Sequence, residues 1–252
     1  MTPGQAAGWS AGRVRSLRTG LRSRLNAAES VETAAQELAM TLFRELGDSA
    51  ILCRVFVSER YAALPEFNRD FARHLASEKG LLGKLVPETP VLCLLGTYGA
   101  PSSWRNRFLS KGHASIPLVS QHFVDSVPML SALFAQTGIG TAWLSSQPGI
   151  QTNRLIGGEA AGTFHIDDAQ TARDSQGRFV IPSRDFVETE GVVTVFGAGG
   201  AWPGDHHGAF IVFLRGSLSR EAAHSLAPLF GTFRSSTTSL MSRGNVFAPP
   251  SA

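Results

Sequence analysis

Only two cysteines, Cys53 and Cys93, occur in 252 residues. Two thiols cannot staple a small fold, so a disulfide-framework protein is excluded. No apolar run approaches the roughly 20 residues that a membrane-spanning helix needs, which excludes a multi-span membrane protein. Charged residues make up 17% and apolar residues 43%, and the mean hydropathy is near zero. That balance excludes a mostly disordered or collagen-like chain and fits a globular domain with a sizeable core. The common chemical signatures are missing too. There is no HExxH or CxxC zinc pattern and no G-x-S-x-G nucleophile elbow. Asp167, Asp168 and Asp174 cluster in sequence but do not form the calcium pattern D-x-D-x-D-G.

Charge is present but unevenly placed. Residues 1–28 hold Arg13, Arg15, Arg18, Arg22 and Arg24 and no acid. Removing these five from the 23 Lys and Arg leaves 18 against 20 Asp and Glu, a net −2 for the remainder. The body therefore carries no broad nucleic-acid footprint, and no specific nucleic-acid partner is expected. The arginine-rich segment reads as a solvated, partly helical, flexible leader. It has no apolar core of a secretory signal and no twin-arginine pair. Its Arg- and Ser-rich, acid-free composition has some transit-peptide character, ranked below a plain cytoplasmic leader.

Periodicity outlines the elements. Ser30 can cap a helix whose Val31, Ala34, Ala35, Leu38, Leu42 and Leu46 recur at helical spacing, closed by Gly47-Asp48. Ile51–Val57 and Val91–Gly96 read as buried strands, with a helix over 65–79 between them. Residues 97–112 read as a loop and 114–119 as a short extended piece. A helix over 120–138 carries Pro128, which predicts a kink. Strands follow at Gly162–Ile166, Gly191–Phe196 and Ala209–Leu214, with a long polar connection over 167–190. A last helix over 219–239 is interrupted by Pro228, and the end is loose. This order does not alternate as a βαβ ladder would. It predicts an α+β fold with a central antiparallel sheet and helices packed on it.

Several local patterns have plain explanations. Gly197-x-Gly199 invites a phosphate-loop reading, but Trp202 stands where a third glycine belongs and no helix follows; a hairpin is expected instead. Seven histidines show no metal spacing, so no metal site is expected. A haem held by one histidine leaves no such signature. Cys53 and Cys93 lie in apolar strands, where free cysteine packs as a small hydrophobe. Asp125, in the first turn of its helix, suits the helix dipole.

Six stretches, KGHASIPL (111–118), FVDSVPML (123–130), GTFHIDDA (162–169), FVIPSRDF (179–186), VTVFGAGG (193–200) and AFIVFL (209–214), together with the terminal helices, resemble a GAF domain. The resemblance is specifically to the GAF-like sensor segment of bacterial histidine kinases, here without a kinase. It covers about residues 30–240. It implies a sheet of about six antiparallel strands, helices on one face, a small-molecule pocket on the other, and a homodimer through the terminal helices. No bilin-attaching cysteine has a counterpart, and the cyclic-nucleotide residues do not map.

The domain expectation is a basic flexible leader (1–28), a sensor domain (29–241) and a loose tail (242–252). The functional expectation is a cytoplasmic sensor that binds a small molecule and signals to a partner such as a histidine kinase. Its pocket residues would be His113, Ser115, Asp125, Met129, His165, Asp167 and Phe196. No catalytic residue is assigned. Haem or another chromophore in the same pocket is a sub-case. The alternatives are a cysteine-dependent GAF-fold reductase of the free methionine sulfoxide type, resting on Cys53 and Cys93, and a ligand-free dimerisation module.

Overall fold

Strand β1 (Ala50–Arg60) lies in the middle of the sheet and is buried along almost its whole length. Its alternate residues therefore serve two different cores. Cys53, Val55 and Val57 enter one, while Leu52 and Phe56 enter the other. The computed structural model describes residues 10–110, 112–137 and 162–249. Within these, β1 is joined by β2 (Pro90–Gly99), β3 (Ser115–Pro117), β4 (Gly162–Ile166), β5 (Thr194–Trp202) and β6 (His206–Leu214). The sheet order is β3-β2-β1-β6-β5-β4, and every pairing is antiparallel. This is the α+β architecture that the sequence predicts.

One face of the sheet carries the terminal helices: α1 (Ala11–Asn26), α2 (Val31–Leu46), and the last pair, numbered below. Ser30 caps α2 as expected, its Oγ accepting from the Thr33 amide at 3.1 Å. The helix lies close on β2 at one point that only glycine permits. A Cβ on Gly96 would sit 2.2 Å from the Ala35 carbonyl oxygen.

The leader departs from expectation. Residues 11–26 form α1, and its Val14, Leu17, Leu21 and Leu25 are buried in the helix-side core. The four leucine and valine positions recur at one helical face and make that burial possible, while the arginines take the solvent side. The C-terminal tail is also held. The amides of Val31 and Glu32, unsatisfied at the start of α2, donate to the carbonyls of Asn245 and Val246 at 3.0 and 2.9 Å.

The opposite face is covered by shorter pieces. Helix α3 (Glu66–Glu78) stands apart from this cover, flanking β3 at the sheet edge with its buried Ala72 in the helix-side core. The predicted 120–138 helix is split into α4 (Gln121–Ser126) and α5 (Pro128–Thr137), because Pro128 forces Val127 into an extended conformation. Residues 138 and 144–158, expected as a helix end and a loop, lie outside the described residues. The 167–190 connection contains a helix that the sequence reading missed, α6 (Arg184–Glu190), closed by Gly191 at φ +65°. Its buried Val187, with Val180 and Ile181, helps fill the second core. Strand β5 consequently starts at Thr194 rather than 191 and runs on through the glycine-rich stretch. Gly197 and Gly199 are strand residues, and the expected hairpin turns at Gly204 and Asp205. The last helix breaks at its proline into α7 (Arg220–Leu226) and α8 (Pro228–Ser242).

Docking of α1 is testable by denaturant unfolding. Leu21→Ala should cost about 2–5 kcal/mol, as for other buried leucines, whereas the exposed neighbour Arg22→Ala should change stability by less than about 0.5 kcal/mol. Equal, small effects would mean that α1 is not part of the core.

Candidate functional site

The second core is not completely filled. Between the sheet and its cap lies a cavity of about 220 Å³. Its floor is Leu52, Arg54 and Phe56 of β1 with Ile211 and Phe213 of β6. Its roof comes from Val127, Met129, Leu130 and Leu133 around the α4–α5 break and from Ile181, Pro182 and Phe186 at α6. Trp104, His113 and Ile116 close the sides. The lining is overwhelmingly apolar, with a few polar groups, the usual make-up of a small-molecule site.

Arg54 is the exception on the floor. It belongs to ILCRVFV, and strand parity sends it to the same side as Leu52 and Phe56. Its Nε is buried with no hydrogen-bond partner. Burial pushes the guanidinium down to about 10, and no carboxylate among the described residues offsets the shift. It remains charged at neutral pH. His113 stands at the rim. Desolvation, followed by the Arg54 charge, pushes its imidazole down to about 4. The residue as a whole stays solvent-exposed, so water reaches its outer edge while the neutral form is favoured at pH 7.

The seven predicted pocket residues separate cleanly. His113 and Met129 line the cavity. Ser115 and Phe196 point to the opposite face of the sheet. Ser115 is buried and accepts from Asn68 Nδ2 at 2.8 Å, and Phe196 packs edge-on against Phe210 in the helix-side core. His165 is also on that side, with Nε2 2.8 Å from the Leu218 carbonyl. Its Nδ1 lies 3.1 Å from Asp167 Oδ1, and that carboxylate is itself exposed beyond the end of β4. Asp125 is exposed on α4, where Gln121 Nε2 donates to it at 2.7 Å. For Ser115, His165 and Phe196 the difference is one of strand parity, since adjacent residues of a strand face opposite ways, whereas Asp125 sits on a helix and Asp167 lies beyond the end of β4. Arg54 was missed although its signal was plain, a single charge inside a seven-residue apolar run.

A wider, more open hollow of about 530 Å³ lies among α1, α2 and residues 105–108. Its charges are already matched. Arg107 donates through Nε and Nη2 to the two oxygens of Glu32 at 2.6 and 2.9 Å and through Nη1 to Asn68 at 3.1 Å. Arg105 donates to the carbonyls of Gly99 and Ala100. These bonds tie loops to helices and leave no unsatisfied group facing a ligand.

Cys53 and Cys93 are both fully buried on the helix side. They lie on adjacent strands but out of register, Cys53 opposite Tyr98 and Cys93 opposite Val57. Burial raises both thiols, Cys93 to about 12, which opposes the thiolate that reductase chemistry requires. Among the described residues no group of three or more His, Cys, Asp or Glu side chains is arranged to hold a metal ion.

No protein-family model and no curated protein sequence matches the chain. Among solved structures, it is similar to the GAF domain of a phosphoenolpyruvate-protein phosphotransferase from Coxiella burnetii. The TM-score is 0.49 and the identity 11%, over 93% of this chain and 98% of that one.

Two outcomes check this electrostatic picture. His113 takes up its proton near its ordinary 6.5 when unfolded and near 4 when folded. The unfolded state therefore binds more protons between those values, and stability should fall as pH drops through that window. His113→Gln should flatten the fall measured by denaturant midpoints from about pH 7 to about pH 4. A residual slope is expected from His207, whose burial also lowers it; identical slopes in both proteins would refute the assignment. Separately, an aromatic disulfide reagent should react with neither cysteine in the native protein and with both after denaturation. Fast native labelling of either would restore the reductase reading.

Proposed function

We propose that the chain is a GAF-like regulatory domain that binds a small molecule in the cavity between β1, β6 and the α4–α6 cap. The observation that carries this reading is the cavity itself. It is preformed, apolar, and placed on the sheet face opposite the terminal helices, where the sequence resemblance puts a ligand pocket. Occupancy would favour the closed arrangement of the cap, since a ligand shifts only those conformations with which it interacts differently. That change would then be read by a partner protein, a histidine kinase being one candidate.

A homodimer and a cytoplasmic location belong to the same proposal. The inward faces of α1 and α8 are already occupied by the core, so a dimer would use their outward faces. No helix among the described residues is long and apolar enough to cross a membrane, which is compatible with that location.

The cavity can be tested with isoleucine-methyl NMR, because Ile116, Ile181 and Ile211 all line it. A fragment library should produce saturable shifts at these three methyls. Met129→Trp, which fills the cavity from a half-buried position, should abolish them while the unfolding transition stays cooperative. Shifts that survive Met129→Trp, or that map to the hollow beside α2, would overturn the assignment.

A further inference from the structure

A buried arginine normally has a partner. Removing the hydration of an ion costs several kcal/mol, and the cost is tolerated when a carboxylate or a set of carbonyls replaces the water. This protein shows both situations. On the helix side, Arg107 is 7% exposed and is bonded to both oxygens of Glu32 and to Asn68. On the cavity side, Arg54 is surrounded by Leu52, Phe56, Ile211 and Trp104, with its Nε buried and unbonded. The first arrangement is structural. The second leaves a guanidinium that lines an apolar space with room for a small molecule and that has no acceptor among the described residues. His113, the other titratable group beside it, offers a neutral ring and so does not neutralise the cation.

We propose that the ligand is a small monocarboxylate with an apolar body, its carboxylate held by the Arg54 guanidinium and its body packed between β1, β6 and the α4–α6 cap. The proposal rests on the ligand-cavity reading above and adds the chemical class. A guanidinium presents parallel N–H groups that fit both oxygens of a carboxylate, and such charge-assisted pairs are the strong hydrogen bonds of protein interiors. The size limit follows from about 220 Å³, which excludes nucleotides and macrocycles and suits a branched or single-ring acid. Arg54 is the one cation lining the cavity among the described residues, which argues for one negative charge, because a second carboxylate would be buried without a counter-ion. A neutral His113 at the rim can donate or accept one further hydrogen bond to a polar substituent.

The test is a titration of the full chain with isovalerate, benzoate and phenylacetate, each beside its primary amide, read by the isoleucine methyls and by the Arg54 Nε–H resonance. At least one acid should bind ten-fold or more tightly than its amide and should move the Nε–H signal downfield. Arg54→Gln should remove the preference for the acid, leaving acid and amide within about two-fold of each other. If that variant fails to fold, the Nε–H shift in the unaltered protein decides the matter alone. Amides that bind as tightly as acids, or a preference that survives Arg54→Gln, would overturn the carboxylate class while leaving the cavity reading in place. No methyl shift with any probe at millimolar concentration would overturn the cavity reading itself, and the proposal with it.

Discussion

A strand in the middle of a sheet, covered on both faces, ordinarily carries apolar residues in both directions, because neither face meets water. Strand β1 obeys this at Leu52, Cys53, Val55, Phe56 and Val57 and departs from it at the half-buried Arg54 on the capped side and, near its end, at the buried Ser58 and Glu59. Everything on the capped side of the sheet has to accommodate that one charge. A tightly packed cap would bury the guanidinium against hydrocarbon with nothing to replace its water, at a cost of several kcal/mol. The observed cap does not close over it. Pro128 breaks the covering helix at Val127, α6 is only seven residues long, and the space left between them is the cavity. The gap in the second core and the charge on its floor are thus one feature.

The helix-side core shows what the chain does when no such space is kept. Aromatic residues Phe196, Phe210, Phe230, Phe233 and Trp202 contact one another edge to face, and Trp202 Nε1 donates to Thr237 Oγ1 and to the Arg234 carbonyl. Polar atoms at the edge of this core are matched in turn, through Glu32, Arg107, Asn68 and Ser115. Even the first amides of α2 are met by the returning C-terminal segment. Such a core has few ways to rearrange. Rearrangement is easier on the other face, in the short helices α4, α5 and α6, which depend on tertiary packing for their stability because helices of this length are not stable alone.

The fold was readable in the sequence wherever burial on one side dictated a period. Strand β4 begins and ends where alternation predicts, both proline breaks fall at Pro128 and Pro228, and a hairpin replaces a phosphate loop after 196, although its turn lies at 204–205 and not in the glycine-rich stretch itself. Helix α6 was not readable, since RDFVETE is too short for a helical period to emerge and offers one buried residue, Val187. The leader was misjudged because five arginines outweigh four apolar residues in composition, although those four share a single face. The expected pocket residues are divided between the two faces of the sheet. His113 and Met129 reach the cavity, but Ser115, His165 and Phe196 each lie on the helix side of the sheet. Choosing the right face needs the absolute register of a strand, and a two-residue period leaves that choice open until the neighbours are known.

Arg107 and Arg54 differ in how completely the chain itself satisfies them. Arg107 and Arg54 both sit against aromatic or apolar surroundings, and either alone resembles an anchoring residue. What separates them is the balance of donors against acceptors. Arg107 has Glu32 and Asn68, both supplied by the chain, so its charge is complete in the folded state and serves to fasten the 105–108 loop to α2 and α3. Arg54 has a buried donor that the described residues do not satisfy. A fold retains an incomplete charge without loss only when its complement arrives from outside, as water in a cavity or as an anion that displaces that water. A carboxylate would do more than water here, because it removes the residual charge as well as the unpaired donor.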